Sequence, residues 1–144
     1  MFAPGVAIAD VTDIEMYLLT VESWNDRVMV RLDGAFTDSA RRRIAVCQAA
    51  MDGWPERHPD RQQERPSDSV GEEIFRSLTL RVSDDVGTQF RWRSGSSGGS
   101  DAELLCEWLF QPAAPDTAST LTVTVSTANG VERSHTVTFT ARPD

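Results

Sequence analysis

The sequence has no lysine, and its 144 residues include only two histidines, two cysteines and one tyrosine. The absence of lysine excludes Schiff-base chemistry and phosphate binding by a lysine ammonium group. The histidines and cysteines are too scattered for any common zinc-ligand spacing, so we expect no metal site and no cofactor. No apolar run approaches the roughly 20 residues that a membrane-spanning helix needs.

The sequence also lacks the features of exported proteins. Residues 1–10 have no basic start and no apolar stretch long enough for a signal peptide. Two cysteines in a cytosolic chain usually stay reduced, so we expect Cys47 and Cys106 to be small core residues. A single disulfide between them is the alternative for an exported protein. Together these features predict a cytoplasmic protein.

Positive charge is scarce, because 14 arginines face 22 acidic side chains and the net charge is −8. A negative field opposes the approach of nucleic acids and of anionic membranes. A chain of 144 residues fits one domain with its own core. We expect a single domain over residues 1–144 that binds neither nucleic acid nor membrane, and no small-molecule ligand is evident.

Alternating apolar residues predict a hairpin in the first part of the chain. Asn25-Asp26 supplies a two-residue turn, and the simplest register sets Val21 opposite Val30 and Leu19 opposite Leu32. The other face of the first strand carries Ile14, Met16 and Leu18. A strand that is apolar on both faces needs cover on both, and the segment that follows is a candidate for one of them.

That segment predicts a helix over residues 38–52. Apolar residues recur at helical spacing, Thr37 or Asp38 can cap the first turn, and Gly53 stops the helix. Residues 41–43 are three consecutive arginines near the helix start, where the helix dipole disfavours positive charge. Either another contact favours them there or the small penalty is tolerated.

Residues 53–73 are polar and contain three prolines, which disfavour a continuous helix. Loops of this length without regular structure are either functional or disordered. We interpret the segment as a solvated, partly mobile connection within the domain.

The second half of the sequence predicts consecutive strands. Leu80 and Val82 have the same parity as Phe90 and Trp92, and a three-residue loop containing Gly87 would pair the two sets in a hairpin. In this register all four apolar side chains point towards the core.

A later hairpin is predicted in the same way, by choosing the loop length that places the apolar residues of both strands on one face. A three-residue loop over 128–130 sets Leu121 opposite Val137 and Val123 opposite His135, with threonines on the other face. One apolar and one polar face is typical of antiparallel sheets, two of which form a sandwich. The predicted fold class is mainly β, an antiparallel β-sandwich with the helix over 38–52 inserted after the first hairpin.

Residues 95–99 match the Gly-x-Ser-x-Gly pattern of hydrolases. Ser97, Asp116 and His135 follow in the order of a hydrolase triad. The chain is too short for a hydrolase sheet with flanking helices, and His135 falls on a predicted strand. We interpret the segment as a flexible Gly/Ser loop and keep a small serine hydrolase as the alternative function.

Three other patterns have ordinary structural explanations. Cys47 lies in the apolar stripe of the helix and His58 in a solvated loop, which argues against a nucleophile pair. Asp84-Asp85 fits a tight turn better than a calcium site. Residues 90–93 alternate aromatic and arginine side chains, and with Arg81 the arginines form a basic stripe on one sheet, which we interpret as a solvated face. An acidic partner or the chain's own carboxylates are the alternative contacts of this stripe.

Three stretches of the second half resemble a known kind of protein. They are Asp-Asp-Val-Gly-Thr-Gln-Phe at 84–90, Glu-Trp-Leu-Phe-Gln-Pro-Ala-Ala-Pro at 107–115 and Leu-Thr-Val-Thr-Val at 121–125. With the first hairpin, they are similar to small uncharacterised immunoglobulin-like β-sandwich proteins of high-GC bacteria. The resemblance implies a strand over 103–110 and carries no activity.

The sequence therefore predicts a non-catalytic immunoglobulin-like module that mediates protein–protein interaction or assembly. The candidate binding residues are Arg41, Arg42, Arg43, Trp24 and Trp54. Two roles fit the tryptophans, namely closing the edge of the core, which is the commoner one, and anchoring a partner. The expected partner is another protein or a second copy of the chain joined at an unpaired edge strand.

Overall fold

The computed structural model describes residues 5–11, 14–35, 37–52, 70–100 and 103–138. The strands of this part of the chain are β1 (Val6–Val11), β2 (Ile14–Ser23), β3 (Val28–Gly34), β4 (Leu78–Asp84), β5 (Arg91–Ser100), β6 (Glu103–Gln111), β7 (Thr120–Thr127) and β8 (Glu132–Thr138). The helices are α1 (Asp38–Asp52) and α2 (Val70–Ser77).

The strands form two antiparallel sheets. Sheet 1 has the order β1-β2-β3-β6-β5, and sheet 2 has the order β4-β7-β8. The fold is therefore mainly β, as predicted, and two such sheets are compatible with a β-sandwich. Helix α1 follows β3 and confirms the helix predicted over 38–52, while β6 confirms the strand implied over 103–110.

Both sheets bury one face in a common core. Alternate residues of β3 and β7 are buried, as the two-residue period of a strand requires. The buried members are Val28, Val30 and Leu32 in β3 and Leu121, Val123 and Val125 in β7. Removing one such side chain from water contributes about 1.5–3 kcal/mol, so this core holds the two sheets together.

The β2–β3 hairpin follows the predicted register near its turn and departs from it further along. Val21 lies opposite Val30 as expected, but a bulge places Leu18 rather than Leu19 opposite Leu32. Leu18 is fully buried and Leu19 is 38% exposed. Because the extra residue reverses the alternation, Val21 joins Ile14, Met16 and Leu18 on the core face. Leu19 stays exposed, and the predicted need for a second cover is wrong.

The β7–β8 hairpin has the predicted register. Leu121 lies opposite Val137 and Val123 opposite His135. Gly130 has a φ of +88°, the left-handed conformation that glycine adopts without strain, and it closes the three-residue loop. The threonines face outward, and one cross-strand pair brings hydroxyl oxygens within 2.8 Å.

The predicted hairpin between β4 and β5 is wrong. Val82 of β4 pairs with Val123, whereas Trp92 of β5 pairs with Phe110. Residues 85–90 cross from sheet 2 to sheet 1. Both strands still direct alternate apolar residues inward, because they face one core from opposite sheets, and parity alone does not distinguish this arrangement from a hairpin.

Two aspartates shape this crossing. Asp84 Oδ1 accepts hydrogen bonds from the backbone N–H groups of Val86 (3.2 Å) and Thr88 (2.9 Å), the turn role that its sequence context predicts. Partial burial acts to raise the pKa of Asp84, but these hydrogen bonds outweigh it and the pKa is lowered. Asp85 Oδ1 accepts from the N–H of Ser119 (2.8 Å), which lowers its pKa and ties the crossing to the start of β7.

Helix α2 begins inside the segment predicted as a polar connection over 53–73. Residues 70–73 form its first turn, so that part of the prediction is wrong, and residues 53–69 lie outside the described residues. Ile74 of α2 is buried in the core. Among the described helices, none is both long and apolar enough to cross a membrane.

Candidate functional site

The structure separates the residues that the sequence nominates for binding. Trp24 lies in the turn before β3, and residues 41–43 lie on α1 beyond the other end of β3. The seven residues of β3 span on the order of 20 Å, so these side chains do not form one surface. Trp54 lies outside the described residues. Binding at any of these positions stays a prediction.

Arg43 accounts for part of the unusual arginine run at the start of α1. Its guanidinium forms a two-pronged ion pair with Glu73 of α2, and one of the two bonds measures 3.2 Å. This contact joins the two helices and offsets the unfavourable helix dipole. Arg42 is exposed, and its Nε donates to the Asp38 carbonyl oxygen at 3.3 Å.

Trp24 does not close the edge of the core. Its side chain is 55% exposed at the β2–β3 turn. Its Nε1–H donates to Glu22 Oε2 at 3.2 Å, which restrains the indole ring beside the turn. This exposure contradicts the edge-closing role of Trp24, and its role as the anchor of a partner stays a prediction.

The topology does not bring the candidate hydrolase residues together. Ser97 lies on β5 at one edge of sheet 1, paired with Cys106 of β6. His135 lies on β8, which contacts β1 at the opposite edge of the same sheet. Asp116 lies in the connection between β6 and β7. Residues 91–100 form a strand, so both the hydrolase turn and the flexible Gly/Ser loop are wrong as local structures.

Cys106 is the small core residue that the sequence predicts. Its side chain is buried and its thiol is free. Burial, aided by the negative charge of Asp33, raises the pKa of Cys106 to about 12, so the thiol stays protonated and unreactive. The side chain of Cys47 is not among those described. Within the described ranges, no cluster of three or more histidine, cysteine, aspartate or glutamate residues could hold a metal ion.

Strand β5 is the feature that sequence reasoning missed. It has ten residues, pairs with β6 on one side, and has no strand on its other side among the described residues. The side chains of residues 91–97 are all exposed, and every residue from Ser94 to Ser100 is glycine or serine. An edge strand presents unpaired backbone N–H and C=O groups, and small side chains leave these groups accessible.

An apolar groove opens beside the start of β5. It lies between the edge strands of the two sheets and has a volume of about 320 Å³. Its apolar lining residues are Leu80, Val82, Phe90, Trp92 and Phe110, and its polar ones are Arg81, Ser83, Thr88 and Gln89. Trp92 faces inward, as its parity predicts, but it is 56% exposed, and none of the described strands covers this edge. Its Nε1–H donates to the Ser94 carbonyl oxygen at 2.8 Å, which holds the indole at the rim of the groove.

At the start of β5, the outer face of the strand is basic. Arg93 lies in a bulge, and its Nε donates to Gln111 Oε1 at 3.2 Å. A shallow depression next to it is lined by Asp26, Gln89, Arg91, Arg93, Gln111 and Pro112. We call the accessible backbone of β5, this basic depression and the apolar groove together the open edge.

Helix α2 supports the middle of β5 from the inside. The Phe75 ring packs on Trp108 with ring centroids 4.5 Å apart and lies over Gly95. A Cβ at Gly95 would come within 2.6 Å of the Phe75 ring, so any larger residue at this position requires the ring to shift. The glycine that the Gly-x-Ser-x-Gly pattern highlights is therefore a packing position.

The sequence contains one signal for the open edge. Residues 90–93 alternate aromatic and arginine side chains directly before the Gly/Ser run. Alternation of this kind predicts a strand with two chemically different faces. The strand was placed next to β4, however, and a Gly/Ser run has low strand propensity, so the exposed edge was not predicted.

Comparison with protein families, with curated proteins and with solved structures finds no match to this chain. The resemblance to immunoglobulin-like proteins of high-GC bacteria therefore stays a prediction.

Proposed function

We propose that the protein is a non-catalytic, immunoglobulin-like β-sandwich module that binds a protein partner by strand addition at the open edge. Two antiparallel sheets around one core support the sandwich. The free, protonated thiol of Cys106 is compatible with the expected cytoplasmic location.

The observation that carries the proposal is the accessible backbone of β5. A partner segment in extended conformation gains main-chain hydrogen bonds along such an edge, while alternate side chains enter neighbouring pockets. Natural proteins usually protect long edge strands with charges, prolines or a covering element. From Ser94 to Ser100, β5 has neither a charged residue nor a proline, which favours an edge kept for a partner.

The groove beside β5 gives strand addition a place for specificity. Exposed tryptophans contribute disproportionately to interface energies. Trp92 stands at the rim of a depression whose lining includes the buried side chains of Leu80, Val82 and Phe110. A partner side chain in this depression would cover the indole and exclude water from the groove. Main-chain pairing and groove contact would then act together at one end of β5.

Two proline variants test the proposal. In an antiparallel pair, consecutive residues direct their N–H groups to opposite sides of the strand. Of Ser96→Pro and Ser97→Pro, one therefore removes a hydrogen bond to β6 and destabilises the fold, while the other removes only an outward donor. The thermal midpoint of each variant identifies which is which.

Each protein is then used as bait for partners that co-purify from the native host. We expect wild-type protein to recover a partner that the folded, outward-blocked variant loses. Arg133→Ser, an exposed change on β8, serves as the control and should retain the partner. Equal recovery by the outward-blocked variant would contradict strand addition at β5.

A further inference from the structure

The open edge has an excess of positive charge in an acidic protein. Arg31, on the same sheet, is neutralised by Glu107 at 2.9 Å and Glu22 at 3.5 Å. Arg93 donates only to the uncharged side chain of Gln111. The Arg91 side chain makes no hydrogen bond or ion pair with any described residue, although its backbone pairs with Gln111 of β6. Two guanidinium groups at the start of β5 therefore lack a carboxylate within the described part of the chain.

The acidic side chain that lines this depression, Asp26, does not pair with Arg91 or Arg93. Asp26 pairs with Arg27 of its own turn, with Oδ1 and Nε 3.1 Å apart. Two adjacent guanidinium groups repel each other, and a carboxylate beside them relieves that repulsion. The local charge therefore favours an anionic ligand, although the whole chain carries a net charge of −8.

The side chains at the start of β5 alternate between two surfaces. Arg91 and Arg93 line the outer depression, and Trp92 between them lines the inner groove. A strand added along β5 would have the same two-residue period, because successive side chains of a strand point to opposite faces. Its side chains would alternate between the guanidinium groups and the apolar groove.

We infer that the partner segment at β5 is acidic and extended, with carboxylates next to Arg91 and Arg93 and an apolar side chain between them in the groove beside Trp92. This inference rests on the proposed strand addition. A second copy of β5 would bring only arginine, tryptophan, glycine and serine to this surface, with no carboxylate. Charge complementarity therefore favours a different chain as the occupant.

Synthetic peptides of nine residues test the inference with full-length protein. The first alternates glutamate with valine, the second alternates lysine with valine, and the third has the composition of the first with its glutamates and valines in separate blocks. Calorimetric titration measures each dissociation constant at low and at physiological salt, and sedimentation of the free protein is measured at the same concentrations. The first and second peptides compare negative with positive charge. The first and third compare an alternating with a blocked order at the same charge, which separates strand pairing from simple electrostatic attraction.

Charge-reversal variants locate the site. We expect the alternating acidic peptide to bind best. The double variant Arg91→Glu/Arg93→Glu should weaken its binding by about tenfold or more, since each of two exposed ion pairs contributes up to about fivefold in affinity. The matched control Arg133→Glu, on β8, should change the dissociation constant by less than about twofold. Trp92→Ser should weaken the binding of the acidic peptide, and the dissociation constant should still depend on salt.

Several results would overturn the inference. If the lysine peptide binds as tightly as the alternating acidic peptide, the partner need not be acidic and the inference is rejected. If the outward-blocked proline variant then loses this binding, the proposed strand addition still stands. Equal binding of the block peptide would reject the alternating arrangement. Binding by none of the peptides would also reject the inference, and the co-purification experiment would then decide the proposed function separately. A dimer in the free protein that the outward-blocked variant dissociates would make a second copy the occupant.

Discussion

The two edges of sheet 1 end in different ways. At one edge, β1 has six residues and contacts β7 and β8 of sheet 2. Ile8, Ala9 and Val11 of β1 are almost completely buried there. At the other edge, β5 has ten residues, and the side chains of residues 91–97 are exposed. The same sheet thus has one edge closed by packing and one that stays open.

The difference teaches that a neighbouring sheet protects an edge only as far as it extends. Among the described strands, three belong to sheet 2 and five to sheet 1, so sheet 2 does not cover both edges equally. Helix α2 covers the inner side of β5 around Gly95 and leaves the groove at Trp92 uncovered. An uncovered edge that is rich in glycine and serine contributes little to the core and remains available for binding.

The largest expected effect is on the free energy of unfolding, when one large side chain from each edge of sheet 1 is replaced by alanine. Ile8→Ala removes a side chain that is 2% exposed, so it should lower the free energy of unfolding by about 2–5 kcal/mol. Trp92→Ala removes a larger side chain that is 56% exposed, and it should cost about 1 kcal/mol or less. Urea unfolding of both variants measures the difference. A Trp92→Ala cost equal to that of Ile8→Ala would mean that the β5 edge is closed.

A second effect concerns the support of β5 by α2. Gly95→Ala should lower the free energy of unfolding by about 1–3 kcal/mol, because its Cβ would overlap the Phe75 ring. Ser97→Ala, two residues along the strand, is the control and should be close to neutral. Phe75→Leu in the Gly95→Ala background should recover part of the loss, and additive costs would show that the two residues do not interact.

A smaller effect is expected from the ion pair that joins α1 to α2. The side chains of Arg43 and Glu73 are 31% and 29% exposed, so solvent screens part of their attraction. Arg43→Gln should lower the free energy of unfolding by about 1 kcal/mol. Arg42→Gln, on the same helix turn, serves as the control. An equal loss in the control would show that helix propensity, and not the ion pair, determines the change.

The smallest expected effect is the pH dependence from Asp85, which fixes the crossing that leads into β5. Hydrogen bonds from the Ser119 and Thr120 N–H groups lower its pKa from the ordinary value of 3.8. A lowered pKa in the folded state stabilises the protein above the unfolded value and loses that contribution as the pH falls through the folded value. The stability advantage of wild type over Asp85→Asn should therefore shrink between pH 6 and pH 3. An advantage that is constant over this range would show that the carboxylate charge is irrelevant.

The sequence predicts local pairings well where turn chemistry and apolar parity agree. The β7–β8 register and the position of α1 follow from such agreement. The bulge at Leu19 was not predictable, because both faces of β2 carry apolar residues and either alternation fits the turn. Strand partners across the chain were not predictable for β4 and β5, since inward parity is the same for neighbours in one sheet and for strands in facing sheets.

The candidate site was predictable only in part. Alternation over residues 90–93 indicates two faces. Trp24 is exposed, as an anchor would have to be, and its role as an anchor stays a prediction. The open edge depends on which strand lies next to β5, and that is a property of long-range pairing. The glycines and serines of β5 indicate a loop by propensity, and only pairing with β6 makes them a strand.

Amide hydrogen exchange along β5 tests the central claim most directly. If the outer side of β5 is open and receives a partner strand, alternate amides between Ser94 and Ser100 exchange rapidly in the free protein, while those bonded to β6 are protected. Saturation with the bound acidic peptide should then slow the rapid set. Uniform protection along β5 in the free protein, or a rapid set that stays rapid when peptide is bound, would contradict strand addition at this edge.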